Sequence, residues 1–262
     1  MDFGLKGRKA LVLASSKGLG LGVAQALAAE GADVLLSGRD AAALGAAAAG
    51  IAARGQGRAD WVTADLSAAD FAPKLVAEAV ERLGRVDILI NNTGGPRPGA
   101  ARDMSADVLI EAARAMLAPV TEITRLLLPA MCARGWGRVL TLASSGVEEP
   151  IANLALSNTL RAALVGWNKT LATEVAAEGV TCNLLLPGRI HTDRVDQLDA
   201  ARAQKTGTEI EAVRAASRAT IPMRRYGTVE EFAAVAAFLC SAQASYVTGS
   251  KLRCDGGKIA GI

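Results

Sequence analysis

The sequence predicts an α/β domain of the doubly wound class: a seven-stranded, mostly parallel sheet with helices on both faces. Three observations predict it. Short β-branched or leucine-rich runs alternate with longer helical patterns from one end to the other, and such alternation gives parallel strands joined by right-handed helical crossovers. The early strand runs are continuously apolar and do not alternate, as strands buried on both faces require. A chain of 262 residues, 51% hydrophobic, with a mean hydropathy of +0.26 and no linker or break in composition, supplies one large core. Residues 1–262 are therefore read as a single domain.

The elements follow in order. The strand KALVLA (9–14) runs into ASSKGLGLG (14–22), a glycine-rich turn that opens a helix near 19–30. DVLLS (33–37) leads to an alanine-rich helical stretch at 40–54, and WVTA (61–64) to one at 68–83. DILIN (87–91) precedes a long helical pattern at 103–134, and RVLTLA (138–143) one at 154–178. VTCNLLL (180–186) leaves the sheet into 192–227, a charged, Arg-rich and irregular insertion suited to fold over a site as a substrate-covering lid. A helix at 229–241 and the strand KLRC (251–254) close the chain.

The charge balance excludes some function classes. A net charge of +3 is spread along the chain with no basic block, so neither nucleic acid nor an anionic membrane is expected as a partner. Cys132, Cys182, Cys240 and Cys254 show neither metal-ligand spacing nor a paired framework, and read as free thiols in a reducing compartment; no metal is expected. The N-terminal apolar run is too short for a signal peptide, and no longer stretch is free of Arg, Asp, Glu or Pro over a bilayer's width. A cytoplasmic protein is expected.

The turn after the first strand is where phosphate chemistry enters. Backbone N–H groups and the positive end of a helix face a pyrophosphate there, and glycine allows close approach. A pair of glycines alone is weak support in an alanine-rich chain; the position after the first strand of a doubly wound sheet is what gives it weight. Ala14, Ser15, Ser16, Lys17, Gly18, Leu19 and Gly20 are the candidate contacts. The second strand ends SGRD, with Arg39 where an acid would bind the ribose 2′-hydroxyl of NAD. An arginine there suits a 2′-phosphate, although a solvated surface charge is the plain alternative. Lys17 adds a second cation, and Asp65 and Leu66 after the third strand are placed to read an adenine edge. Together these favour NADP over NAD.

At this point the chain resembles the short-chain dehydrogenase/reductases over essentially its whole length, and within them the 3-oxoacyl-carrier-protein reductase-like group. The family's TGxxxGxG turn aligns with Leu13 to Gly20, with Ala14 at the first glycine; NNAG appears as NNTG (Asn91 to Gly94), the PG-x-x-x-T segment as PGRIHT (Pro187 to Thr192), and the closing motif as TGSKLRCDGG (248–257). The resemblance implies a single Rossmann domain. It places Asn91 and Gly94 beside the adenosine-side ribose, and Pro187, Gly188, Ile190 and Thr192 at the nicotinamide, with Ile190 and Thr192 beside its amide. It also implies a homotetramer, or a dimer, formed through the faces of 103–134 and 154–178 and the last strand.

The catalytic end departs from the family pattern. The family works with Asn, Ser, Tyr and Lys, the last two as a Y-x-x-x-K step on the helix after the fifth strand. The run AALVGWNKTLA (162–172) sets the register and puts Ser157 at the tyrosine and Arg161 at the lysine. Ser144 falls at the serine and Met116 at the asparagine. Neither Tyr226 nor Tyr246 has a lysine four residues on. Ser157 and Arg161 share a helix face; they can bind cofactor and substrate, and Arg161, at the place of the lysine that in the family holds the nicotinamide ribose, can hydrogen-bond that ribose, but a serine is a far weaker acid than a phenol and arginine does not release its proton. Three readings stay open: hydride transfer with the proton from Ser144 and water, His191, Glu148 or Glu149; an isomerase or lyase reaction with Arg161, Arg189 and Arg97 holding an anion; and NADP(H) binding without turnover. His191 also reads as a loop histidine bonded to backbone, and the two glutamates as a solvated pair. Arg194, Arg202 and Arg214 in the insertion suit an anionic small-molecule substrate or, equally, a solvated lid.

Overall fold

A computed structural model describes residues 2–55 and 57–261. The strands β1 (Lys9–Val12), β2 (Asp33–Gly38), β3 (Ala59–Thr63), β4 (Ile88–Asn91), β5 (Gly137–Leu142), β6 (Val180–Pro187) and β7 (Lys251–Cys254) form one sheet in the order β3-β2-β1-β4-β5-β6-β7. Every ladder is parallel, so the sheet is wholly and not merely mostly parallel. The order reverses between β1 and β4, where Leu11 lies beside Leu89. In open α/β sheets such a reversal opens a crevice at the carboxyl ends of the strands.

The apolar strands feed two cores. On one face Val12, Leu36, Ile88 and Ile90 pack with Val23, Leu27 and Phe232; on the other Leu11, Leu35 and Leu89 pack with Ile123, Leu127 and Leu171. The helices behind them are α1 (Gly18–Ala29), α2 (Ala41–Ala52), α3 (Phe71–Leu83), α4 (Ala106–Met116), α5 (Ala118–Ala133), α6 (Ala155–Val175), α7 (Asp193–Thr206), α8 (Ile210–Ala219) and α9 (Val229–Cys240). Each fully buried Leu, Ile or Phe contributes about 1.5–3 kcal/mol. Helices α1 and α9 pack tightly: a Cβ on Gly22 would lie 2.1 Å from Val229 Cγ1.

Two expectations need correcting. The helix expected over 103–134 is divided. A short 3-10 turn covers Ala101–Asp103, and α4 gives way to α5 at Leu117. Pro119 in the first turn of α5 has no N–H to continue the α4 ladder, which forces the restart. The run 106–133 has membrane-spanning length and a hydropathy of 1.3, yet α5 sends Val120, Ile123, Leu127 and Met131 into the core. The second correction concerns 192–227, which is not irregular: it contains α7 and α8. Asp193 and Asp196 favour the positive end of α7, and Gly207, at φ 64°, ends it in the left-handed region. Few apolar residues mark α7, which hid its period.

Candidate active site

The crevice at the switch point opens into a cavity of about 580 Å³. Of the sequence-predicted nucleotide residues, Ala14, Ser16, Lys17, Arg39, Asp65, Leu66 and Gly94 line it. The floor is the turn between β1 and α1. Lys17 holds the N-cap position of α1 without using its side chain as a cap, so the first N–H groups of the helix face the cavity mouth. Gly18 has φ 61°, and Ala14 has φ 47°, a left-handed conformation that costs an alanine about 1–2 kcal/mol. A Cβ on Gly20 would lie 2.7 Å from the Ala14 carbonyl and 2.8 Å from Asn92 Nδ2; glycine is required there for the turn to close.

Two predicted contacts serve the scaffold instead. Ser15 is fully buried; its hydroxyl donates to the Val12 carbonyl (2.8 Å) and accepts from the Ser37 N–H (3.0 Å), stapling β1 to β2. Asn91 is also fully buried, and its amide donates to Thr124 Oγ1 (3.0 Å), tying β4 to α5. The neighbour that sequence reasoning passed over, Asn92, holds the turn by donating to the Ala14 carbonyl (3.1 Å). Two adjacent asparagines give no signal of which faces inward, except that residues on a strand alternate between faces. Leu19 packs against the core behind the turn.

The cations at this end are exposed. Lys17 Nζ lies 3.5 Å from Asp193 Oδ2, an ion pair between the turn and α7 with both side chains largely in solvent. Arg39 forms no ion pair among the described residues. Asp65 stays ionised: the Ser67 hydroxyl and N–H hold its carboxylate below the usual range, at 2.7 and 3.0 Å, with Arg39 adding to the effect. The opposite wall is α4, whose Val108, Glu111, Ala112, Ala115 and Met116 line the cavity, and the far end is Leu156 of α6.

Beyond β6 the PGRI segment is fixed by backbone. Gly188 N–H donates to the Cys254 carbonyl (2.9 Å), and a Cβ on Gly188 would lie 2.5 Å from Asp255 Cα. Pro187 closes β6, Ile190 is buried, and Thr192 is the N-cap residue of α7 with a hydroxyl free of capping duty. The insertion is anchored by Asp199, which is fully buried. Its carboxylate pairs with Arg189 Nη2 (2.9 Å) and accepts from the Tyr226 hydroxyl (2.8 Å). No sequence signal separates this acid from the surface acids around it.

At the catalytic end α6, which carries Ser157 and Arg161, packs over the 3-10 turn that follows β5. Ser144 follows the end of β5, and its hydroxyl accepts from the Gly146 N–H (3.0 Å) at the 3-10 turn Ser145–Val147, which α6 covers. Ser157 is half-buried, one turn from Arg161. Arg161 is 8% exposed, its Nη1 donates to the Leu142 carbonyl (2.8 Å), and burial alone pushes its pKa down to about 10. Met116, at the end of α4, is buried and offers no polar group.

The other proton-donor candidates are not brought there. His191 is exposed, with Nε2 3.4 Å from Asp196 Oδ1, a carboxylate that Arg214 Nη2 also holds at 2.7 Å. Glu148 pairs with Lys251 Nζ of β7 at 2.6 Å, and Glu149 is exposed. Nor do Arg97, Arg189 and Arg161 converge: Arg97 is exposed at the cavity rim, and Arg189 is committed to Asp199.

A family model described as "Enoyl-(Acyl carrier protein) reductase" matches residues 13–258. D-beta-hydroxybutyrate dehydrogenase of Cupriavidus necator is 36% identical over 258 residues, covering 98% of this chain and 99% of that protein. The chain belongs to the short-chain dehydrogenase/reductase family. Two further similarities to short-chain dehydrogenase/reductases fit the geometry above. The 3-oxoacyl-acyl-carrier-protein reductase of Escherichia coli is 32% identical over 254 residues, 96% of this chain and 97% of that one. The crystal structure of L-sorbose reductase from Gluconobacter frateurii, complexed with NADPH and L-sorbose, superposes with a TM-score of 0.94 at 28% identity, covering all of both chains. The short-chain dehydrogenase/reductase fold thus accounts for the sheet order, the glycine turn and the crevice together.

Proposed function

We propose that this short-chain dehydrogenase/reductase is an NADP(H)-dependent oxidoreductase of a small carbonyl or alcohol substrate, with Ser157 and Arg161 where the family carries tyrosine and lysine. The observation that supports it is the cavity itself, which runs from Lys17 and Arg39 past Asp65 to Met116 and Leu156 beside Ser157. The residues fit a phosphorylated dinucleotide. Gly20 leaves the backbone no room for a Cβ, the α1 N-terminus has no side-chain cap, and Arg39 forms no ion pair among the described residues.

When bound, NADPH supplies the hydride that reduces a carbonyl carbon. The chain's own part is to bind and orient. The α1 N–H groups would hold the pyrophosphate, Lys17 and Arg39 would meet the 2′-phosphate, and Asp65 with Leu66 would border the adenine. Gly94 and the segment from Pro187 to Thr192 would hold the riboses and nicotinamide. Ser144 and Ser157 hold the substrate oxygen, and water brings the proton that no nearby acid provides. Helices α7 and α8, held by Asp199, cover the substrate.

Titration of the protein with NADPH and NADH, followed by absorbance at the nicotinamide band over ketones and oxoacyl thioesters, tests this. Tighter binding of NADPH and its oxidation by at least one carbonyl class are expected; failure to bind either nucleotide overturns the reading. Binding without oxidation favours the second reading, an NADP(H)-binding protein without turnover, which the exposed His191 and the paired Glu148 also support.

We further propose a cytoplasmic homo-oligomer, a tetramer or else a dimer. The support is an apolar groove of about 440 Å³ between α4, α5 and α6, lined by Ile110, Leu117, Ala118 and Trp167. Light scattering on the purified chain measures the state directly.

A further inference from the structure

We infer that Arg194 is a clamp for the dinucleotide's pyrophosphate, carried on the first turn of α7 and laid across the crevice opposite the glycine turn; this rests on the nucleotide binding in the reading above, not on turnover. Two adjacent residues fix the placement. Asp193 Oδ2 lies 3.5 Å from Lys17 Nζ, on the wall formed by the turn between β1 and α1. Arg194 reaches the other wall: its Nη2 lies 3.9 Å from the point that a Cβ on Gly95 would occupy, in the loop after β4. Lys17 and Gly95 both line the cavity. The first turn of α7 therefore touches both lips of the switch-point crevice, and a ligand seated between them lies under it.

The position decides which part of the ligand Arg194 would meet. Arg39, at the end of β2, marks the 2′-phosphate side, whereas Gly95 follows β4 on the other side of β1. Between them stand the first N–H groups of α1, the place where a pyrophosphate binds. Arg194 is exposed and forms no ion pair among the described residues, whereas Arg214 of the same insertion is held by Asp196 at 2.7 Å. A guanidinium fork matches a pair of phosphate oxygens. A phosphate that takes Lys17 from Asp193 leaves that aspartate facing like charge, and the next residue along supplies the opposite sign. The Lys17–Asp193 tether and the Arg194 clamp thus act in opposite senses on one helical turn.

Equilibrium titration of the intact protein with NADPH, NADH and adenosine 2′-phosphate tests this. Arg194→Ala is expected to weaken NADPH and NADH alike, by about 10-fold, as loss of a charge-assisted hydrogen bond gives. Adenosine 2′-phosphate, which has no pyrophosphate, should bind as before. Arg194→Lys should keep part of the affinity, with circular dichroism confirming the fold of both variants. Arg202→Ala removes an equal charge from α7 at an exposed position outside the cavity lining and should change none of the three titrations. Unchanged NADPH affinity in Arg194→Ala, a loss confined to NADPH, or an equal loss in Arg202→Ala overturns the inference. Failure to bind any nucleotide overturns the proposed function together with it. Binding without oxidation by any carbonyl removes turnover alone and leaves Arg194 to be judged by the titrations, so the two readings fail separately.

Discussion

Lys17 and Arg39 stand in solvent at the cleft beside a glycine turn; Arg161, on α6, is mostly buried and donates to the Leu142 carbonyl. Both places are cationic, yet their energetics differ. An exposed cation is satisfied by water until a ligand arrives, so binding there exchanges one good environment for another and costs the empty protein nothing. A mostly buried cation has given up much of its water for a carbonyl, and the folded protein bears that cost at neutral pH.

The comparison can be broken by rebuilding the buried end. Ser157→Tyr with Arg161→Lys restores an acid and should raise reduction of neutral ketones by about 100- to 10,000-fold, the range of a positioned proton donor. Steady-state kinetics over a panel of neutral ketones checks this; no gain would mean that the substrate pocket is remodelled elsewhere. Next in size is Asp199→Ala, which leaves Arg189 and Tyr226 without their buried partner and should cost about 3 kcal/mol. It is read as a lower denaturant midpoint and faster amide exchange in α7. Arg39→Ala should weaken NADPH binding roughly 10- to 100-fold and leave NADH unchanged, measured by titration.

Two smaller effects sharpen the contrast from the stability side. Arg161→Met removes a mostly buried charge that has no carboxylate partner among the described residues and should stabilise the protein by about 1–3 kcal/mol, a rise of several degrees in Tm. The sign follows from linkage. Burial lowers the folded-state pKa to about 10, below that of the unfolded chain, so the penalty is full at neutral pH and is relieved only as pH rises past the folded-state value. At the exposed end, Lys17→Met should change the ligand-free Tm very little by the same measure. Least of all, Ala14→Gly relieves a left-handed alanine and should add up to about 1 kcal/mol, visible as a small upward shift in Tm.

Much of this was legible in the sequence for physical reasons. Continuous apolar strands announce burial on both faces, and the glycines between β1 and α1 announce a backbone that something must approach. Arg39 was legible because its place at the end of β2 fixes what it can reach. Asn91 and Asn92 were not, because adjacent residues of one type differ only in which way the strand turns them. Helix α7 was hidden by its scarcity of apolar residues, and Asp199 by its resemblance to exposed neighbours. The role of Arg161 lay between: its position could be counted from the flanking run, but its lack of a counter-ion depends on where every carboxylate in the fold ends up.

The contact between Lys17 and Asp193 joins the first loop of the chain to the first turn of α7. A phosphate drawn to that ammonium competes with the aspartate for it, so whatever grip α7 keeps on the loop is subtracted from nucleotide affinity, and nucleotide loosens α7 by the same amount. Ionic strength weakens the tether and the phosphate contact alike, which makes the posture of the insertion and the hold on the dinucleotide two readings of one equilibrium.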